Sequence, residues 1–262
     1  MSDDLDLTEY LSHGGKLSSP DNAPPRYRGE LMRLMATFVD SELAGAAGFA
    51  DVINAGPGIK ERIAASRIVF EKLVNADRVL KIMGDFGADT GRYVNHHPWA
   101  ARLPRDADIG ANRHGGDMRL SVFHYPIDGW TDAVVMNVLM GRATAIQLDE
   151  FAHGSYQPLA EAFRAILPTE VRHAELGLEG LRMLVLTAED RAAARASAAY
   201  WRPRVAASFG SAGSARYETL RRFGLRRTPN DVLAERWRGE IAELLDELGI
   251  APETGTEEGS RA

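Results

Sequence analysis

Between Leu159 and Leu184 apolar residues recur at helical spacing, and Leu159, Phe163, Ile166, Ala174, Gly177, Leu181 and Leu184 make one stripe. Glu170 and His173 fall inside that stripe. They are three residues apart, so a helix points both toward whatever the stripe packs against. A carboxylate and an imidazole on a core-facing surface cost free energy unless they bind a metal or meet polar partners. Any fold for this chain must therefore bring matching groups from other elements to the depth of Glu170.

Three more segments have the length and period to do so. The first runs from about Tyr27 to Asn54, with Leu31, Leu34, Met35, Phe38, Gly45, Phe49 and Val52 in its stripe and Glu42 in the middle. Gly56–Pro57–Gly58 stops it. The second runs from Ile59 to about Gly84, and Lys72 and Asn75 lie in its stripe. The third, Trp130 to about Ala152, turns at Gly154–Pro158 into the fourth, the Glu170 segment, which continues to about Leu186. Pro168 should free the carbonyl of Arg164 and bend that helix just before Glu170. Further helices are expected over Ala188–Ser208, with a break at Pro203, and from the Thr228–Pro229–Asn230–Asp231 cap to about Leu248. The connection from Gly87 to Gly129 holds His96 and His97, either ligands or surface residues beside an anchoring Trp99. Only Leu120–His124 has a strand-like pattern. The pattern predicts an all-α chain, with a mobile arm over 1–25, one helical domain over 26–250 and a disordered acidic tail over 251–262.

Residues equally far from the turn of an antiparallel hairpin lie level, because the rise per residue is constant. Glu42 stands about 14 residues before the first turn, so its partner is near position 71. Glu170 stands about 14 after the second, so its partner is near position 142. One layer is therefore expected to hold Glu42, Glu71 or Lys72, Arg142, Glu170 and His173. Glu-x-x-His projecting into a helix bundle is half of a di-iron carboxylate site, which takes one Glu from each of two helices and Glu-x-x-His from each of the other two. Here the second helix offers Lys72 and Asn75 instead, and the third offers Gly141 and Arg142. Glu150 and His153 repeat the spacing two or three turns away. Lys72 and Arg142 would repel a metal ion and could neutralise Glu42 and Glu170 as a buried ion-pair network.

A formal net charge of -6 disfavours nucleic-acid binding and leaves no basic membrane patch. The absence of cysteine removes disulfides, thiolate metal sites and cysteine nucleophiles. No apolar run reaches membrane-spanning length and the start is acidic, so a cytoplasmic location is expected. No phosphate-binding loop, dinucleotide glycine spacing or nucleophile elbow appears.

The segments Ser41–Glu42–Leu43–Ala44–Gly45, Gly56–Pro57–Gly58–Ile59–Lys60, Phe123–His124–Tyr125–Pro126, Ser155–Tyr156–Gln157–Pro158 and Glu170–Val171–Arg172–His173 together carry a resemblance. The chain resembles the ferritin-like subunits of the phenylacetyl-CoA epoxidase complex of phenylacetate catabolism, over about Tyr27 to Leu186 and more faintly around Trp237–Gly249. The resemblance implies a ferritin-like four-helix bundle with additional C-terminal helices. It also implies a homo- or hetero-oligomer with a related helical subunit. In the catalytic subunit of that family two irons activate dioxygen and an aromatic coenzyme A thioester is epoxidised; a related structural subunit has lost the iron ligands. Glu42, Glu170 and His173 match family ligand positions, while Lys72, Asn75 and Arg142 depart from them.

Two readings of function result, and a third stands beside them. The first is a non-catalytic or structural subunit with a degenerate di-iron centre, holding no metal or a partial site. The alternative is an active non-haem iron oxygenase or oxidase acting on an acyl-CoA or aromatic substrate, with Glu71 turned inward beside Glu42, Glu170 and His173. The third is a helical binding protein with a pocket lined by Met32, Met35, Met136 and Met140. No catalytic residue is assigned by the sequence.

Overall fold

The structure, a computed structural model, describes residues 2–95 and 98–251. His96, His97 and residues 252–262, most of the expected tail, lie outside the described residues. The helices are α1 (Ser2–Ser12), α2 (Pro25–Val52), α3 (Ile59–Asp85), α4 (Gly91–Asn95), α5 (Gly129–Phe151), α6 (Gln157–Leu184), α7 (Ala188–Ala206), α8 (Ala215–Arg222) and α9 (Asn230–Glu247). Among the described residues there is no strand, only an isolated bridge between Leu17 and Tyr156. None of these helices is long and apolar enough to cross a membrane.

Two helical hairpins make the frame. α2 packs chiefly on α3 and α5 on α6, and α3 against α6 joins the pairs. The stretch from Phe86 to Asp128 is the single long crossover of a ferritin-like four-helix bundle. α7 and α9 lie on the outside of α5. The four long helices begin and end within about two residues of the sequence expectation. Their boundaries are set by punctuation: Pro25 opens α2, Gly58 caps α3 and Pro158 sits in the first turn of α6. Pro168 does not end α6, which is helical from Gln157 to Leu184.

Along α2 and α6 a polar stretch separates two apolar clusters. One holds Leu31, Met35 and Val39 of α2 with Phe163 and Ile166 of α6. The other holds Ala44 of α2, Leu178 and Leu181 of α6, and Trp201 and Trp237 from the outer helices. Between them stand Asp40, Ser41 and Glu42 on α2 and Glu170 and His173 on α6, all buried.

The structure departs from the sequence expectation at several places. The arm is not loose from Leu7 to Pro25: Leu11, Leu17 and Ala23 are buried in the cluster of Leu31, Met35 and Phe163. The Leu17 amide donates to the Ser155 carbonyl and its own carbonyl accepts from Gln157, at 2.8 Å each. Leu120–His124 is a 3-10 turn over Ser121–His124 instead of a strand, because Ser121, Val122, Phe123 and His124 are all buried and no alternation of faces exists. Pro203 does not break α7, which yields to a 3-10 turn only at Ala207. The crossover is tethered by buried Asp40, which accepts from Trp99 Nε1 at 3.1 Å and the Met118 amide at 2.6 Å. Trp99 is itself buried, as an anchor should be.

Replacing Leu17 by Ala is expected to lower the unfolding free energy by about 2–4 kcal/mol in urea titrations. A mobile arm would give no change.

Candidate functional site

The polar layer centres on Lys72. Its Nζ donates to Glu42 Oε1 at 3.1 Å and to Glu170 Oε2 at 2.9 Å. Asn75, one turn along α3, donates from Nδ2 to Glu170 Oε1 at 2.9 Å. His173 Nε2 meets Glu71 Oε2 at 2.7 Å, and its Nδ1 lies 3.3 Å from Glu170 Oε1 without making a hydrogen bond. Glu170 and His173 are each 1 % exposed, whereas the Glu71 side chain is a third exposed. The arrangement thus runs from the surface at Glu71, through His173, Glu170 and Lys72, to Glu42.

Backbone choices make room for this set. A Cβ at Gly45 would touch Lys72 Cδ at 3.6 Å and crowd Phe123 Cε1 at 3.3 Å, so glycine on α2 leaves room chiefly for the Phe123 ring beside the lysine stem. A Cβ at Gly177 would come within 2.5 Å of Asn137 Nδ2, which donates to the His173 carbonyl at 2.8 Å. Asn137 thereby pins α6 to α5 beside the layer. A cavity of about 20 Å³, room for about one water, adjoins Lys72, Glu170, Asn137 and Gly141.

Three charges must share one dry space, and their proton affinities diverge. Burial pushes the Glu42 carboxyl up to about 8, helped by neighbouring Glu170 and opposed by Lys72. Burial also works against ionised Glu170, but the Lys72 ammonium, together with neighbouring His173, outweighs it and holds that carboxyl well below the usual range. Burial alone would push Lys72 down; its two carboxyl partners hold it above its ordinary value. The balanced state is therefore an ionised Lys72–Glu170 pair beside a protonated Glu42. Glu42 Oε2 has no hydrogen-bond partner among the described residues.

Of the predicted site residues, Glu42, Lys72, Asn75, Glu170, His173 and Glu71 come together. Arg142 does not: it lines an outer groove with Asp149, Arg236 and Glu240. Its neighbour Gly141 faces inward instead, where a Cβ would lie 2.9 Å from Ala174 Cβ. One residue turns a helix by about 100°, so adjacent Gly141 and Arg142 face different sides. Glu150 is engaged elsewhere, accepting from the backbone of Arg227 and Thr228. The four methionines do not line one pocket. Met35 is in the core, Met136 lines the small cavity, and Met140 lines both that cavity and a larger pocket. Asn137 was missed, although a polar residue inside the apolar run Val134–Met140 is itself a signal.

A family model described as phenylacetic acid catabolic protein matches residues 8–262. The chain belongs to the phenylacetic acid catabolic protein family. No curated protein matches it. The match extends past the resemblance read from motifs, taking in all but the first turns of α1 and the whole C-terminal region. Members of this family are subunits of a multi-component complex.

Two measurements test the layer. Lys72→Met leaves Glu42 and Glu170 buried without their cation, and should cost about 3–5 kcal/mol in urea unfolding. The Glu42 proton gives the second. Its carboxyl ionises near 4.5 in the unfolded chain and about 8 in the folded one, so between those values the folded state holds the extra proton. Stability should therefore fall as pH rises through that window, by at most about 1.4 kcal/mol per pH unit. Glu42→Gln should flatten this slope; an unchanged slope would show that Glu42 is ionised in the folded chain.

Proposed function

We propose that this chain is a non-catalytic, structural subunit of the phenylacetyl-CoA oxygenase type, working in the cytoplasm in aromatic-acid catabolism. In it a lysine ammonium takes the interior position that two irons hold in a catalytic relative. One observation carries the reading: Lys72 Nζ stands 3.1 Å from Glu42 and 2.9 Å from Glu170, the two carboxylates that the resemblance matches to family ligands. The donor set fits a di-iron pair poorly. A di-metal site of this kind takes Glu-x-x-His from two helices, and α3 contributes an ammonium and an amide donor, Lys72 and Asn75, instead. A metal ion at this point would meet a fixed positive charge, and the carboxylates it needs are already neutralised.

The role that follows is mechanical. A buried ion pair that ties α3 to α2 and α6, with Asn137 adding α5, holds the four helices in register without a cofactor, and a helical frame of the family's shape can then support a related subunit. Whether a partner is a second copy or a related chain, the frame offers it the same rigid surface.

The second reading, a single metal in an altered site, has one observation in its favour: Glu71 already reaches His173 at 2.7 Å, so a carboxylate and an imidazole are paired there. Metal analysis separates the two. Protein purified from iron-supplemented cells should carry fewer than about 0.1 iron per chain under the structural reading. Iron approaching one or two per chain, with dioxygen consumption lost in Glu170→Gln, would establish the oxygenase instead.

A further inference from the structure

A pocket of about 400 Å³ lies between α2, α5 and the segment from Ala207 to Asn230. Its walls are largely apolar, with Phe38, Phe123, Met140, Leu148 and Phe151 among them. Its charged lining is lopsided: Arg113, Arg216 and Arg226 against one acid, Glu42. Arg216 is paired with Glu30 at 3.1 Å. Arg113 donates to two neutral groups, Thr37 Oγ1 and the Met118 sulfur. Arg226 is the most telling. It is 5 % exposed, lies over the Phe151 ring and donates to Asn230 Oδ1 at 3.0 Å. Glu150, the acid that acts on it through space, is instead committed to the amides of Arg227 and Thr228 and the Thr228 hydroxyl.

The same pocket also holds an idle hydroxyl. Ser208 Oγ is buried and has no hydrogen-bond partner among the described residues. Ser208 and Arg226 both line this pocket. A guanidinium withdrawn from water without an ionic partner is costly, and so is a buried hydroxyl with no bond. An anion in the pocket would relieve both.

We propose that this pocket binds a hydrophobic monocarboxylic acid, its carboxylate received by Arg226 and Ser208 and its apolar body packed among Phe38, Phe123, Met140 and Phe151. The guanidinium fork matches a carboxylate in shape and charge. At about 30 Å³ per water-sized group, the pocket takes about a dozen non-hydrogen atoms. A free aryl or medium-chain acid fills that space, whereas a coenzyme A thioester would leave most of itself outside. The apolar walls give a small inorganic anion nothing to pack against. This inference goes beyond the subunit role and does not depend on the metal content of the Lys72 layer.

Isothermal titration of the full chain with 4-phenylbutanoate tests it, with the neutral amide and the coenzyme A thioester of the same acid as comparisons. The acid should bind with Kd below about 1 mM. The amide should bind at least about tenfold more weakly, because it cannot make the charge-assisted bond. Arg226→Met should weaken the acid by a similar factor and Ser208→Ala by a few fold, each with an unchanged thermal melt. Equal affinity for acid and amide, tighter binding of the thioester, or no binding of the acid would overturn the proposal. The acid–amide comparison uses the unaltered chain, so it decides the matter even if Arg226→Met fails to fold. Iron assayed in the same sample keeps this outcome separate from that of the subunit reading.

Discussion

The Lys72 ammonium sets the terms for the rest of the bundle. Glu42 and Glu170 are 4 % and 1 % exposed and face each other across the interior, so with no cation between them neither could remain a stable carboxylate beside the other. One ammonium satisfies one carboxylate fully and a second by hydrogen bonding. The proton left on Glu42 settles the remaining charge. A buried ion pair of this kind does not by itself make a protein more stable than a greasy core of equal volume. Its effect is on arrangement: removing any member leaves the others uncompensated, which penalises every packing in which the four helices shift past each other.

That role suits where the layer sits. Along α2 and α6 it divides one apolar cluster from another, so neither cluster alone defines the vertical register of the hairpins. Lys72 reaches from α3 to α2 and α6, Asn75 reinforces the α3–α6 link, and Asn137 adds α5 through the His173 carbonyl. Glycines at 45, 141 and 177 bring the helices close enough for these short side chains to meet. Polar contacts and missing side chains are therefore parts of one solution. Enlarging Gly177 would displace Asn137 from the His173 carbonyl, and enlarging Gly141 would push α5 away from Ala174 of α6.

Most of the bundle was legible in the sequence, since long amphipathic stripes with Gly–Pro punctuation give helix positions to within about two residues. The layer was legible for a related reason. A charged residue inside an apolar stripe stands out, and equal rise along a hairpin puts Glu42 level with Glu71 or Lys72. The misses have physical causes. Arg142 was assigned by height alone, and azimuth sent it outward while Gly141 faced in. The packing of Leu11 and Leu17 rests on contacts with the α5–α6 turn far along the chain, which a local polar composition conceals. α8 has no buried residues and leaves no apolar stripe to read.

The central claim is that a protonated lysine holds the interior of the bundle, and side-chain nitrogen NMR of the lysine ammonium groups tests it most directly. With Lys72 assigned by its loss in Lys72→Gln, the account predicts an ammonium resonance that persists at alkaline pH, with slowly exchanging protons and no response to added ferrous iron. A neutral amine at that position, or a signal that broadens or vanishes as iron is added, would contradict it.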